Sequence, residues 1–212
     1  MAKNILAHKI LIIDFGSQYT QLIARRVREL GVYCEIYSHQ SNLKSIKDFD
    51  AKGIILSGGP ETVKQKGSPK VPIGMFDLGI PILGICYGMQ TITKQLGGKV
   101  ELASKREFGH ANLKISNQGG GLFKNIKDKT ASVWMSHGDH VTNLPKDFKI
   151  IAKSSNSPIA AFYNPAKKIY GLQFHPEVTH TPQGKRILKN FVRDICNCQG
   201  LWNSKNIIDK SI

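Results

Sequence analysis

The first half of the chain alternates short apolar runs with segments whose apolar residues recur at helical spacing. Residues 9–14, KILIID, form a run rich in branched side chains that ends at the turn Gly16-Ser17. Further short apolar runs predict strands at 32–37, 53–56 and 81–85. Helical spacing or helix-ending glycines predict helices at 19–30, near 74–78 and at 87–96. Alternation of strands and helices favours an α/β fold, doubly wound, with a mostly parallel central sheet and helices on both faces.

The second half is richer in short strands separated by turn residues. The pattern predicts strands around 111–115, 131–135, 149–153, 159–163 and 168–174. Periodicity leaves open whether these strands extend the main sheet or form a small antiparallel annex, and we take the annex as the expectation. One-sided apolar spacing in GKRILKNFVRDIC predicts a closing helix at 184–196.

Composition supports one folded domain. The chain has 212 residues, with 41% hydrophobic and 21% charged residues, which is ordinary globular usage. No apolar run approaches the roughly 18 residues that cross a bilayer, and the start MAKNILAHKI lacks the apolar centre of a signal peptide. We therefore expect a cytoplasmic protein without a membrane partner.

The charge balance raises an alternative function. Thirty Lys and Arg against fifteen Asp and Glu give a formal net charge of +15, which is compatible with a non-catalytic module that binds nucleic acid. The lysines are scattered singly, without basic blocks or interleaved aromatic residues. A solvated surface is the favoured interpretation, and nucleic acid is an unlikely partner.

The cysteines predict neither a disulfide framework nor a metal site. Four cysteines are too few for a dense framework, and a reducing compartment keeps them as thiols. Cys196 and Cys198 are separated by one residue, whereas chelating pairs usually have two to four between them. No metal is expected.

One of these cysteines stands in a motif typical of a nucleophile. In GICYGMQ, Cys86 lies between Gly84 and Gly88, directly after a predicted buried strand and before a predicted helix. This is the cysteine version of a nucleophile elbow, a strained turn that lifts the reactive atom above the sheet. The glycines remove side chains where strand and helix crowd together, and the helix amides favour a thiolate.

A base and its orienting group follow in LQFHPEV. His175 and Glu177 are two residues apart, so both project to the same side of an extended segment, and Pro176 favours that conformation at His175. The imidazole can take the thiol proton while the carboxylate fixes its tautomer. The order Cys, His, Glu disfavours an α/β-hydrolase, where the acid precedes the histidine.

Acyl transfer also needs donors for the developing oxyanion. The backbone N–H of Tyr87, one residue past the cysteine, is one candidate, and the turn Gly58-Gly59 after the strand at 53–56 is the other. Phosphate-binding motifs of the forms GxxxxGK[ST] and GxGxxG do not occur in the sequence.

GICYGMQ, the turn SGGP (57–60) and FHPE (174–177) together resemble class I, triad-type glutamine amidotransferases over essentially the whole chain. More narrowly, ILIIDFGSQYTQLIARRVRELGVY (10–33), REFGHA (106–111) and VWMSHGD (133–139) resemble the amidotransferase domains of GMP synthases. The resemblance implies a flavodoxin-like fold and the hydrolysis of glutamine to glutamate and ammonia.

The resemblance also implies roles for single residues. Cys86 would attack the glutamine side-chain amide, His175 would carry the proton to departing ammonia, and Glu177 would orient His175. Gly59, within the Gly58-Gly59 turn, and Tyr87 would supply oxyanion amides. Family positions that hold the amino-acid end of glutamine correspond to Gln90 and to a loop made of Ser136, His137, Gly138 and Asp139.

The carboxyl end resembles the junction with a second domain. The resemblance implies an amidotransferase domain at 1–196 and, at 197–212, a linker or the start of an absent ATP pyrophosphatase (synthetase) domain that aminates XMP to GMP, in the same chain or a partner chain. Trp202, Ile207 and Ile208 would belong to that linker or to the first helix of the absent domain. No cofactor is expected in the present domain, whereas ATP and Mg²⁺ are expected in the absent one. A stand-alone cysteine hydrolase of γ-glutamyl substrates is a further alternative.

Overall fold

A single nine-stranded mixed sheet forms the centre of the computed structural model, which describes residues 4–203 and 206. Its strand order is β2-β1-β3-β4-β9-β8-β7-β5-β6. The strands are β1 (Lys9–Asp14), β2 (Tyr33–Ser38), β3 (Gly53–Leu56), β4 (Ile82–Ile85), β5 (Lys99–Ile115), β6 (Thr130–Asn143), β7 (Lys149–Lys153), β8 (Ala161–Asn164) and β9 (Ile169–Leu172).

The parallel half of the sheet contains β2, β1, β3, β4 and β9. Strands β1, β3, β4 and β9 are buried along most of their length, which is why they read as continuous apolar runs in the sequence. Two apolar clusters fill the space on either side of the sheet. The fold class predicted from the sequence is therefore confirmed.

The helices are α1 (Thr20–Glu29), α2 (Leu43–Asp48), α3 (Tyr87–Gln95) and α4 (Gly184–Lys189), with a 3-10 turn at Ile73–Asp77. The predicted closing helix begins as α4 and continues as a π-helix over Asn190–Ile195. Helix α2 was missed, because six residues with a single buried side chain, Ile46, show no periodicity. Its local signal is Asn42, whose side chain caps the helix by accepting a hydrogen bond from the Ser45 amide at 2.9 Å.

The antiparallel strands of the second half belong to the main sheet. Strand β9 pairs in parallel with β4 and antiparallel with β8, so the later strands extend the main sheet and do not form a separate annex. Strands β5 and β6 form a hairpin much longer than the short strands predicted there. The segment Ser136–Asp139, expected to be a loop, lies inside β6. The pattern missed this because polar residues alternate there with only a few apolar ones.

The chain after residue 196 packs against the domain as far as the structure follows it. The Trp202 amide donates to the Gly31 carbonyl at 2.8 Å, and its ring lies 4.8 Å from that of Tyr33. The domain boundary at 196 stays a prediction, and Ile207 and Ile208, with residues 204, 205 and 209–212, lie outside the described residues.

Close packing of α3 against two strands fixes the turn at Cys86. A Cβ atom on Gly84 would lie 2.6 Å from the Gly88 carbonyl carbon, and a Cβ atom on Gly88 would lie 2.4 Å from the Leu56 carbonyl oxygen. Both distances are too short for any side chain. The two glycines of the elbow thus allow helix and strands to touch through their backbones.

We expect Gly88→Ala to destabilise the protein by about 1–3 kcal/mol, the usual cost of forcing extra volume into a packed interior. The measurement is urea unfolding. Lys94→Ala, on the exposed face of the same helix, is the matched control and should leave the unfolding midpoint nearly unchanged. An unfolding curve of Gly88→Ala that superimposes on the wild-type curve would contradict this account of the packing.

Candidate active site

Cys86 occupies a strained turn at the carboxyl end of β4. Its φ of 51° and ψ of −105° lie outside the regions that non-glycine residues ordinarily adopt, and it forms the N-cap of α3. Such conformations cost about 1–3 kcal/mol and persist only where the surroundings enforce them. Here the enforcing contacts are the backbone packing of α3 and a 2.7 Å hydrogen bond from the Cys86 amide to the Leu172 carbonyl.

His175 and Glu177 form a buried pair in the segment that follows β9. The ring Nδ1 lies 2.7 Å from Glu177 Oε1, and because a carboxylate only accepts, the ring donates this bond. Both residues are buried, and Glu177 has no exposed surface. Among the described residues, Glu177 Oε2 has no hydrogen-bond partner, so the imidazole ring is the main group that offsets this carboxylate.

The imidazole lies next to the cysteine. A Cβ atom on Gly58 would lie 3.2 Å from His175 Cε1 and 3.8 Å from Cys86 Cβ, so this glycine sits between the two side chains. A side chain at position 58 would press on the ring. The structure therefore brings together the three residues predicted from the sequence as nucleophile, base and orienting group.

The protonation of His175 follows from these contacts. Burial lowers the pKa of His175, but the Glu177 charge and hydrogen bonding to the Cys86 side chain outweigh burial and raise the pKa well above its usual value. A raised pKa makes the ring a stronger base, which suits a group that accepts a proton from a thiol.

Three residues that the sequence analysis did not select hold this pair in place. Thr181 Oγ1 donates to the His175 carbonyl at 2.7 Å and accepts from the Trp134 amide at 3.0 Å. Arg26 Nε donates to the Glu177 carbonyl at 3.0 Å. No motif signals these contacts, because Arg26 and Glu177 are 151 residues apart in the chain.

A pocket of about 650 Å³ opens beside Cys86. Its walls include Gly59, Tyr87, Gln90 and the strand segment Ser136–Asp139. A smaller cavity of about 400 Å³ on the other side of the cysteine reaches His175 and Tyr19. The predicted binding residues therefore all line the larger pocket beside Cys86, except Gly58.

The two backbone amides predicted to hold an oxyanion lie in this space. Within residues 4–203, the N–H groups of Gly59 and Tyr87 have no hydrogen-bond acceptor, so both are free to bind a ligand. Gly59 must lack a side chain, since a Cβ atom would lie 2.8 Å from the Phe15 carbonyl oxygen. The neighbouring Ser57 hydroxyl fixes the turn by accepting from the Phe15 amide at 3.0 Å and donating to the Gly58 carbonyl at 2.7 Å.

Buried amide side chains connect the strand segment to the cysteine. Gln90 Nε2 donates to the Asp139 carbonyl at 2.9 Å and lies 3.4 Å from Gln173 Oε1. Gln173 Nε2 in turn lies 3.7 Å from Cys86 Sγ. The sequence analysis did not select Gln173, although it lies two residues before His175 and therefore on the same side of the extended segment.

The described part of the chain contains no cluster of three or more His, Cys, Asp or Glu side chains that could hold a metal ion. Of the helices it contains, none has the length and apolar character that crossing a membrane requires.

Comparison with known proteins identifies the class. The family model for glutamine amidotransferase class-I matches residues 11–195. The chain therefore belongs to the class I glutamine amidotransferase family. A crystal structure of a glutamine amidotransferase from Thermotoga maritima superimposes with a TM-score of 0.65 at 21% identity, over 90% of this chain and 84% of that one, and shares the fold.

Relatives with higher sequence identity to this chain are named GMP synthases. The chain is 55% identical to the GMP synthase [glutamine-hydrolyzing] of Marinomonas sp. and 53% identical to that of Aeromonas hydrophila, matching along its full length. It spans 42% of the length of each of these relatives. The crystal structure of a protein assigned as a GMP synthase subunit from Thermoplasma acidophilum has a TM-score of 0.80 at 33% identity, covering 96% of this chain and 98% of that one.

We expect Glu177→Gln to lower the pKa of His175, because the carboxylate charge that holds the proton on the ring is removed. NMR titration of the ring resonances measures this directly. Glu101→Gln, an exposed carboxylate on β5, is the control and should leave the His175 titration unchanged.

Stability should change with pH in a defined direction. The pKa of His175 is higher in the folded chain than its unfolded value of about 6.5, so the pair stabilises fully below about pH 6.5 and loses this contribution as the pH rises through the folded pKa. The difference in unfolding free energy between wild type and Glu177→Gln should therefore be larger at about pH 6 than at a pH above the folded pKa of His175. A wild-type His175 that titrates at or below its ordinary pKa would refute both expectations.

Proposed function

We propose that this chain hydrolyses glutamine to glutamate and ammonia through Cys86, His175 and Glu177, and that the ammonia serves the ATP-dependent amination of XMP to GMP by a synthetase module. The observation that carries the proposal is the buried His175–Glu177 pair beside Cys86, across the bare backbone of Gly58. Membership in the glutamine amidotransferase family and the similarity to GMP synthases support it.

In the first half of the reaction, His175 takes the proton of the Cys86 thiol, and the sulfur attacks the side-chain amide carbon of glutamine. Because Nδ1 of the ring is bonded to Glu177, the other nitrogen, Nε2, carries this proton. The amide oxygen becomes an oxyanion that the free N–H groups of Gly59 and Tyr87 stabilise. The carbon–nitrogen bond then breaks, His175 returns the proton to the leaving nitrogen, and ammonia departs from a thioester.

In the second half, His175 removes a proton from water, and the resulting hydroxide attacks the thioester carbon. The carbon–sulfur bond breaks, glutamate leaves and the thiol is restored by the proton on His175. Glu177 stabilises the imidazolium ring in both halves. The raised pKa of His175 favours the protonated ring that must form before each proton is delivered.

The pocket beside Cys86 is suited to the amino-acid end of glutamine. Ser136, Gly138, Asp139 and Gln90 line it. The His137 side chain has another role, since its ring contacts Glu107 (3.3 Å) and is buried. Its contribution to binding is therefore through the backbone.

The partner is proposed from chain length. The chain covers 42% of the Marinomonas and Aeromonas hydrophila GMP synthases. We infer that the rest of those proteins contains the synthetase module, which for this chain would act in the same polypeptide or as a separate partner chain. ATP and Mg²⁺ would be bound there. We place no cofactor in the described domain.

A chloroketone analogue of glutamine tests the proposal. The Cys86 sulfur should displace chloride and form a thioether at one label per chain, located by mass spectrometry. Cys86→Ala should lose all labelling, whereas Cys34→Ala, which removes a buried thiol that does not line the pocket, should be labelled like wild type. Equal labelling of Cys86→Ala and wild type would overturn the proposal.

The preferred substrate separates glutamine hydrolysis from the alternative of a stand-alone γ-glutamyl hydrolase. Under the proposed function, free glutamine should protect Cys86 from the analogue at lower concentration than a γ-glutamyl peptide does. Stronger protection by the peptide would favour the alternative. Protection is measured instead of turnover because it reports occupancy of the pocket beside Cys86 directly and does not require the proposed synthetase module.

A further inference from the structure

A second buried histidine–glutamate pair lies beside the pocket and takes no part in the proton transfers at Cys86. His137 Nε2, on β6, lies 3.3 Å from Glu107 Oε2, on β5, with side-chain exposures of 2% and 7%. Two hydroxyl groups from the segment after β7 complete the carboxylate's partners: Ser154 Oγ donates at 3.1 Å and Ser157 Oγ at 2.9 Å. We call these four residues the Glu107 cluster.

The cluster stands where the pairing of β5 with β6 is irregular. Leu102 pairs with Asp139 and Glu107 pairs with His137, so four residues of β5 face the single residue Gly138 of β6. Gly138 consequently has no partner in the ladder register. Regular pairing resumes at Glu107 and His137 and continues to Lys114.

The same piece of β6 forms a wall of the pocket. Cys86 Sγ donates to the Ser136 carbonyl at 3.5 Å, and the Asp139 carbonyl accepts from Gln90 at 2.9 Å. Between these two contacts the ladder is interrupted at Gly138, whereas Ser136, His137 and Asp139 pair with β5. The Glu107 cluster lies directly next to this interruption, because Glu107 and His137 are the first pair after it, and its side-chain contacts hold the strand there.

We propose that Glu107 is a positioning residue that sets the backbone of Ser136–Asp139 for binding the amino-acid end of the substrate, by holding His137 and tying it to Ser154 and Ser157. This inference rests on the proposed function and extends it from the reacting groups to the wall that receives the rest of the substrate. Glu107 acts through His137 and does not contact the reacting atoms.

The charge states fit a positioning role. Burial lowers the pKa of His137, and the opposing effects of the Glu107 charge and hydrogen bond do not overcome it. The neutral ring is held by two members of the cluster, since its Nε2 lies 3.3 Å from Glu107 Oε2 and 3.4 Å from Ser157 Oγ, while the carboxylate accepts from both serine hydroxyls. Removing one partner of such a buried cluster leaves the others unsatisfied, so the strand should shift.

The experiment measures inactivation of Cys86 by the chloroketone analogue at a series of concentrations, which separates the apparent binding constant KI from the maximal rate constant kinact. We expect Glu107→Gln to raise KI about tenfold, the scale of loss caused by small misplacement of binding groups, with kinact changed less than about twofold. Glu101→Gln is the matched control, because Glu101 also faces a histidine of β6, His140, but is exposed. It should behave like wild type.

Two measurements separate positioning from a general loss of structure. Labelling of Cys86 by iodoacetamide, which has no amino-acid end, should be unchanged in Glu107→Gln. Amide hydrogen exchange should become faster at residues 136–139 than in wild type. Ser157→Ala, which removes one donor to the carboxylate, should give a smaller change in the same direction and serves if Glu107→Gln does not fold.

The outcomes are distinct. Unchanged KI in Glu107→Gln, or equal loss of iodoacetamide and analogue labelling, would overturn the positioning role. If the wild-type chain shows no saturable labelling by the analogue, the proposed function is wrong. The exchange at 136–139 then still decides whether Glu107 holds this strand, and unchanged exchange would refute that as well.

Discussion

The direct backbone contact of helix α3 with strands β3 and β4 is the constraint on which the candidate site depends. With no side chains at Gly84 and Gly88, the helix approaches until carbonyl groups occupy the space where Cβ atoms would be. The connection between strand and helix is then so short that Cys86 must adopt a positive φ. The strain at the nucleophile is thus a consequence of packing in the core, and the stability of the whole domain maintains it.

Parallel strands bring the remaining groups to the same place. Strands β1, β3, β4 and β9 end at one edge of the sheet, followed respectively by Tyr19, the Gly58-Gly59 turn, Cys86 and His175. Each is among the first residues after its strand, which explains how positions far apart in the chain meet around one thiol. The antiparallel half contributes the wall, because the long hairpin of β5 and β6 reaches back to the same edge.

Two buried histidine–glutamate pairs lie close to this edge, and the pKa values of their histidines are shifted in opposite directions. The pKa of His175 is raised, because Glu177 at 2.7 Å has the ring as its main partner and the thiol adds a second favourable contact. The pKa of His137 is lowered, because Glu107 is farther away and also accepts from two serine hydroxyls, so burial dominates. The first pair is suited to proton transfer and the second to holding a neutral ring in place.

Short-range features of the sequence determined the fold class and the candidate triad. Continuous apolar runs identified the buried parallel strands, the glycines around Cys86 identified the turn, and the spacing of His175 and Glu177 identified the pair, because each of these signals lies within a few residues of the chain. Only the tertiary structure decided that Ser136–Asp139 lies in a strand, that Arg26 and Thr181 hold the pair, and that Glu107 meets His137, Ser154 and Ser157. These contacts join residues 6 to 151 positions apart, and the long-range ones depend on strand register and helix packing, which no local pattern encodes.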